Sequence, residues 1–213
     1  MKNERTGVLL GVILAVAVLL SAPTRSALAP FQNGEGLLAG RNVNMVSGQQ
    51  LPWGDPFLQR QNEPSIAVST RNPMHLLAGA NDYRTVDMLI PYEELPGPPE
   101  GMAAARDAWL GVYKSFDGGQ SWQSGLLPGV PQDYTGTGLA SPLKAYGTAA
   151  DAVVRPATNG LFYMSGIAFN RNAQGGGLFI ARFIDNNNKE KGDTIKYLGA
   201  AVLDKGTPGQ FID

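Results

Sequence analysis

The chain of 213 residues contains no cysteine and a single histidine, His75. Without cysteine there is no disulfide framework, no thiolate zinc site and no cysteine nucleophile, and one histidine cannot form a histidine-based metal cluster. We predict that His75 is a surface residue or a hydrogen-bonded one. The 17 basic and 18 acidic residues leave a net charge of −1, which favours neither nucleic-acid binding nor a polybasic membrane patch. We therefore expect no metal, no cofactor and no nucleic-acid partner.

Charged residues are also scarce, at 16%, whereas 27 glycines and 15 prolines supply many turn formers. From Glu63 onward, short runs of Val, Ile, Phe and Tyr alternate with Gly, Pro and Asn. No stretch keeps a helical period with capping residues at its ends. The sequence therefore predicts an all-β protein.

The N-terminal segment 1–29 has the features of a secretory signal. Lys2 and Arg5 precede an uncharged apolar run at residues 7–22, which is shorter than the roughly 18 residues expected of a full membrane span. An uncleaved signal anchor is the alternative, and it would be the protein's only contact with a membrane. We expect an exported protein, secreted or periplasmic, in which residues 30–62 form an irregular lead-in.

An internal repeat is the most informative feature of the sequence. Ser65–Arg84 aligns with Ala152–Arg171 without a gap at a constant offset of 87 residues, and Gly79 then matches Gly166. Both copies predict a strand, a tight turn and a second strand, and two further strand candidates follow each copy. Four-stranded units that recur along a chain are typical of propeller blades. An ordinary β-sandwich with a coincidental match is the alternative.

The repeat divides the chain into two units of four antiparallel strands. The first unit covers residues 63–127 and includes an insertion at 85–107, whose prolines exclude it from a sheet interior. Residues 128–150 form a connecting loop, and the second unit covers residues 151–204. We expect residues 205–213 to begin a third unit, so that the chain would hold about two blades of an incomplete ring.

The segment Ser115–Trp122 matches the pattern S-x-D-x-G-x-S/T-W between the third and fourth strands of the first unit. Short polar side chains and glycine suit a tight turn, and the tryptophan ring can cover the hairpin. The defining residues, which we predict to be structural, are Ser115, Asp117, Gly119, Ser121 and Trp122. The pattern is that of the Asp-box, and the sequence resembles the Asp-box (BNR) repeat β-propellers, the superfamily that includes sialidases.

The resemblance implies candidate site residues at the end of the blades opposite the Asp-box. Asp82 is the candidate for a catalytic acid/base, although such a carboxylate commonly serves only as a loop hydrogen bonder. Arg84 and Arg171, which the repeat pairs, are candidates for an anion-binding pocket, and the competing interpretation places them at solvated strand edges. Tyr92 and Arg106 are further ligand-binding candidates.

The function implied is that of a non-catalytic extracellular binding or scaffold module, with glycans or other extracellular molecules as ligands. The alternative is part of a sialidase-type glycoside hydrolase whose catalytic residues lie mostly beyond residue 213. Sialidases use a tyrosine nucleophile and an arginine cluster, and this sequence has no recognisable match to either.

Overall fold

The computed structural model describes residues 41–46, 54–55, 59–86, 107–171, 175–187 and 193–206. The strands in this part of the chain are β1 (Gln61–Val68), β2 (Leu76–Asp82), β3 (Trp109–Ser115), β4 (Gln123–Leu126), β5 (Thr148–Pro156), β6 (Leu161–Phe169), β7 (Gly176–Asp185) and β8 (Ile195–Lys205). In the same described residues, the short α-helix α1 spans Gly136–Leu139, and 3-10 helices cover Arg84–Val86, Pro142–Ala145 and Thr158–Gly160.

The eight strands form two antiparallel sheets of four strands each. The first sheet has the order β1-β2-β3-β4 and the second has the order β5-β6-β7-β8. The prediction of an all-β protein with two four-stranded antiparallel units is confirmed. β1 begins within the segment expected to be a lead-in, and β5 begins within the expected loop 128–150, which also contains α1.

Several sequence predictions fall wholly or largely outside the described residues. The signal segment 1–29 lies there, as do most of the insertion 85–107 and the end of the chain from residue 207. None of the helices in the described part of the chain combines the length and apolar character that a membrane span requires.

A β-bulge marks equivalent positions in the two sheets. The pairing of β1 with β2 and that of β5 with β6 both shift register near the start of the first strand. In each bulge an acidic residue has a positive φ, Glu63 at 53° and Asp151 at 63°. Non-glycine residues rarely adopt this conformation. The bulges therefore align Glu63 with Asp151, an offset of 88 residues (151 − 63) rather than 87.

The second strands show the opposite shift. Directly after the bulges Ser65 pairs with Gly79, and Val153 pairs with Ser165. Gly79 is thus equivalent to Ser165, at an offset of 86 (165 − 79), because five residues (157–161) separate the last paired residues of β5 and β6, whereas seven (69–75) separate those of β1 and β2. The gapless alignment at 87 is therefore wrong by one residue in each strand. A one-residue error moves every side chain to the other face of the sheet.

The corrected register shows how the sheets stack. A Cβ atom on Gly79 would lie 2.8 Å from Met164 Cε and 3.2 Å from Ala152 Cβ, so this face of the first sheet packs on the second. Leu77 lies on the same face and is fully buried. Its equivalent Tyr163 is half-buried and points away from the first sheet, because it alternates with the buried Met164. Equivalent faces of the two sheets point in the same direction.

The other face of the first sheet has a cover of its own. Ala78, Ala80 and Tyr113 are buried there beneath Met45 and Val46. The corresponding cover on the second sheet is missing among the described residues, as the exposure of its apolar side chains shows. Val153 is 40% exposed, Leu198 42% and Leu203 58%.

Candidate functional site

Antiparallel strand order assigns the connections to two opposite ends of the sheets. The long-loop end carries the described residues of the β2–β3, β4–β5 and β6–β7 connections, at 83–86, 107–108, 127–147, 170–171 and 175. The turn end carries residues 69–75, 116–122, 157–160, 186–187 and 193–194. Binding residues are commonly placed on long loops above a rigid scaffold, so the long-loop end is the candidate site.

Asp82 and Arg84 form a buried ion pair at this end. Arg84 Nη2 lies 2.7 Å from Asp82 Oδ2, and both side chains are 0% exposed. Arg84 Nε lies 3.0 Å from each carboxylate oxygen, and the Arg84 backbone N–H also donates to Oδ1. The guanidinium further donates to Ser124 Oγ at 2.7 Å and to the Gly125 carbonyl at 3.2 Å. Arg84 therefore ties the end of β2 to the edge strand β4.

Tyr113 completes this cluster from β3. Its hydroxyl donates to Asp82 Oδ2 at 2.7 Å. A side chain at Gly111 would collide with both groups, since its Cβ would lie 2.1 Å from Tyr113 Oη and 2.7 Å from Asp82 Oδ2. Burial, and next the charge of Asp82, raise the pKa of Tyr113 well above its ordinary value. The hydroxyl therefore stays protonated and acts as a donor.

The environment of this pair differs from the one expected from the sequence. The sequence leaves Arg84 either in an anion-binding pocket or at a solvated strand edge, and the structure instead buries it completely against Asp82. Asp82, expected on a surface loop, is the last residue of β2 and is buried as well. Both oxygens of its carboxylate accept hydrogen bonds from Arg84. A carboxylate held in this way is suited to organising the sheet and poorly suited to exchanging a proton with a substrate.

Arg171 lies at the same end but near the surface. Its side chain is 67% exposed and pairs with Asp107, which also accepts a hydrogen bond from Thr148 Oγ1 at 2.8 Å. Burial alone would raise the pKa of Asp107, but the hydrogen bonds from Arg171 and Thr148 outweigh it and lower the pKa below its ordinary value. Arg171 is therefore already paired. The other two candidates, Tyr92 and Arg106, lie outside the described residues.

The structure brings together two acidic residues that the sequence analysis missed. Asn81 Nδ2 donates to Glu63 Oε2 at 3.0 Å, and Asn81 Oδ1 accepts from the Asp151 backbone N–H at 2.8 Å. Glu63 and Asp151 are exposed, and both have the positive φ described above. Strained non-glycine residues are concentrated at functional sites. Asn81 thus bridges two strained acidic positions, one from each sheet.

The sequence contains a pattern from which the equivalence of Glu63 and Asp151 could have been predicted. Glu63-Pro64 and Asp151-Ala152 each place an acidic residue directly before an apolar strand. The gapless alignment begins at Ser65 and Ala152, and its offset of 87 would place Pro64, not Glu63, opposite Asp151.

The turn end holds the Ser115–Trp122 segment. Asp117 accepts hydrogen bonds from the Ser121 backbone N–H at 2.9 Å, from Ser121 Oγ at 2.5 Å and from Ser115 Oγ at 2.9 Å. The Gly119 backbone N–H donates to Ser115 Oγ, and Trp122 Nε1 donates to the Gly119 carbonyl. The bonds from Ser121 lower the pKa of Asp117 below its ordinary value. All these contacts are internal to the turn.

A second polar cluster at the turn end joins the two sheets. His75 is buried, and its Nδ1 lies 2.9 Å from Asp185 Oδ1. Ser69 Oγ donates to the other oxygen of Asp185 at 2.5 Å, and Asn72 Nδ2 lies 3.2 Å from His75 Nε2. Asp185 separates the serine from the histidine, so the histidine cannot take the serine proton as in a hydrolase triad. The cluster is a structural link.

No group of three or more metal-ligating side chains converges within the described part of the chain. A comparison with protein-family models and a comparison with curated proteins find no match to this chain.

Proposed function

We propose that the two sheets are consecutive blades of a sialidase-like Asp-box β-propeller, and that this chain is an exported binding or scaffold module rather than a catalyst. The observation that carries the proposal is the stacking direction. Leu77 of the first sheet faces the second, and its equivalent Tyr163 faces onward. In a propeller each sheet packs one face on the sheet before it and the other face on the sheet after it, so that the sheets form a ring. In a β-sandwich the two sheets pack their inner faces on each other and leave both outer faces free.

The turn at Ser115–Trp122 supports the same proposal. Its hydrogen bonds are those that a purely structural motif needs, because Asp117 binds donors within the turn and Trp122 covers the adjoining sheet. These residues point to no ligand and leave the opposite end of the sheets for binding. Export rests on the N-terminal apolar segment of the sequence.

The long-loop end is the proposed ligand-binding end. Glu63 and Asp151 present exposed carboxylates there, and Asn81 fixes the Glu63 side chain and the Asp151 backbone. Carboxylates accept hydrogen bonds from hydroxyl groups, which makes glycans a suitable ligand class. The bidentate pairing of Asp82 with Arg84 argues against a general acid at Asp82.

A glycoside hydrolase is the second candidate, and one observation favours it. Two acidic residues held at positive φ, one from each sheet, match the use of strained positions and of paired carboxylates in glycosidases. In this case the chain would supply part of a site that other residues complete.

Two experiments test the proposal. The full chain is offered a fluorogenic sialoside, and we expect no turnover; turnover that disappears in Asp82→Asn would contradict the non-catalytic assignment. A crystal structure of the chain tests the blade assignment. We expect Leu77 to face the second sheet and Tyr163 to face away from the first, and a second sheet that packs on the first through its Tyr163 face, as in a closed sandwich, would contradict the assignment.

A further inference from the structure

A cleft of about 730 Å³ lies between the outer strands of the two sheets. Edge strand β4 and the chain that follows it form one wall, and Lys196 and Tyr197 of β8 line the other. Its volume is within the range of roughly 300 to 1,000 Å³ typical of small-ligand sites. The cleft lies away from the Glu63 and Asp151 carboxylates, neither of which lines it.

Charges in the cleft are balanced. Lys114 and Lys196 contribute two ammonium groups, and Asp133 and Asp193 contribute two carboxylates. Lys114 Nζ lies 3.7 Å from Asp193 Oδ2, an ion pair that joins β3 to the segment before β8. Lys196 is exposed and makes no ion pair with any described residue. Such a lining attracts neither an anion nor a cation preferentially.

Hydroxyl and aromatic groups complete the lining. Thr135 and Thr137 are exposed at the start of α1. The rings of Phe183 and Tyr197 pack edge to face with their centroids 5.4 Å apart, so the Tyr197 ring is held in position. Side by side, the cleft presents donors, acceptors and an apolar ring.

We propose that this cleft binds a neutral oligosaccharide. Each sugar hydroxyl both donates and accepts, so it can bond to an ammonium, a carboxylate or a threonine hydroxyl of the lining. The C–H face of a sugar ring can cover the apolar surface of Tyr197. A strongly charged ligand would instead meet one repelling side chain for each attracting one. The site goes beyond the proposed function, because it depends on the cleft and not on the blades belonging to a propeller.

Gly125 offers a way to block the cleft without disturbing its walls. It pairs with Val112 on β3, and the nearest atom to a Cβ placed there is the Val112 carbonyl oxygen at 3.9 Å. A phenylalanine at this position has room for its Cβ and would occupy the cleft with its ring. Lys196→Ala is a milder second variant, because that side chain is exposed. Lys205→Ala on the same strand, outside the cleft, is the matched control.

The experiment titrates the full chain with maltotriose, cellotriose and N,N′,N″-triacetylchitotriose by isothermal calorimetry and by ligand-observed NMR. We expect at least one of them to bind, Gly125→Phe to abolish binding and Lys196→Ala to weaken it about tenfold, the equivalent of losing one charged hydrogen bond. Lys205→Ala should bind as the unmodified chain does.

Three outcomes would overturn the proposal. The first is that none of the three sugars binds. The second is that binding survives unchanged in both Gly125→Phe and Lys196→Ala. The third is that a trigalacturonate or a chitosan trimer binds at least tenfold more tightly than every neutral sugar, which would assign the cleft to a charged ligand. Circular dichroism of each variant separates loss of binding from loss of folding.

Discussion

The two sheets have the same strand order but differ in how much of each is covered. Six of the seven residues of β2 are buried, whereas β6 alternates and buries five of nine. The first sheet lies between Met45 and Val46 on one face and the second sheet on the other. The second sheet is covered by described residues on one face only. Equivalent positions therefore differ in burial because their neighbours differ.

The largest expected difference in stability is between two arginine substitutions, one at a buried arginine of the first sheet and one at an exposed arginine of the second. Arg84→Ala leaves the Asp82 carboxylate buried without its partner, which we expect to lower the free energy of unfolding by about 3 to 5 kcal/mol. Arg182→Ala, at an exposed residue of β7, should change it by less than about 0.5 kcal/mol. Urea denaturation measures both. Equal losses would contradict the account of the buried pair.

The second prediction compares two positions that the bulges make equivalent. Leu77→Ala empties a fully buried site, and we expect a loss of about 2 to 5 kcal/mol. Tyr163→Ala removes a half-buried ring from the uncovered face, and it should cost about 1 kcal/mol. The same denaturation experiment measures both. If Tyr163→Ala proves as costly as Leu77→Ala, the outer face of the second sheet is covered in solution.

The third prediction concerns the β3–β4 turn at Ser115–Trp122. The corresponding β7–β8 turn of the second sheet does not match the S-x-D-x-G-x-S/T-W pattern. Asp117→Asn should cost about 1 to 2 kcal/mol at neutral pH, because it weakens the charged hydrogen bonds from Ser121. Asn186→Ala, in the corresponding β7–β8 turn, is the comparison. Because it loses only a side-chain bond to the Asp193 carbonyl near the surface, it should cost less.

The sign of the pH dependence follows from the direction of the pKa shift. The folded-state pKa of Asp117 lies below its ordinary value of 3.8. Its contribution to stability is therefore complete above about pH 5 and is lost as the pH falls below 3.8 through the folded-state pKa. The stability difference between the unmodified chain and Asp117→Asn should shrink over that acidic range. A difference that stays constant down to pH 2 would contradict the hydrogen-bonding account.

The smallest effect is expected at the long-loop end. Arg171→Ala removes a surface ion pair with Asp107, and since the arginine is 67% exposed we expect a change of about 0 to 1 kcal/mol. The change should vanish in 1 M salt, where surface charges are screened. A loss as large as that of Arg84→Ala would mean that the two arginines are equivalent in environment, as the repeat at offset 87 implied.

Local sequence patterns were sufficient to predict the strands and the turn at Ser115–Trp122. Both the alternation of apolar and polar residues and the preference of certain residues for turns depend on only a few neighbouring positions. The faces of the strands were harder to predict. A turn shortened by two residues, together with the bulges at Glu63 and Asp151, left a gapless alignment that looks convincing and is one residue off in both strands. Because successive side chains of a strand point to opposite faces of the sheet, that error assigns every side chain to the wrong face.

The burial of Arg84 could not be predicted for a different reason. Besides Asp82, its hydrogen-bond partners include residues of β4 and Gly54, which are 30 or more residues away along the chain. No local pattern encodes such contacts. The same holds for the link between His75 and Asp185, which are 110 residues apart.

The central claim is that the first sheet packs on the second through the face that carries Gly79, and a disulfide tests it most directly. The chain has no native cysteine, so Gly79→Cys with Ala152→Cys introduces a single pair. The Cβ positions are 3.2 Å apart, close to the 3.5 to 4.5 Å or so that a disulfide requires. We predict near-complete intramolecular oxidation by mass spectrometry, with none in the control pair Ile66→Cys and Val153→Cys. Free thiols or only intermolecular products for the Gly79 and Ala152 pair would contradict the stacking and the function proposed from it.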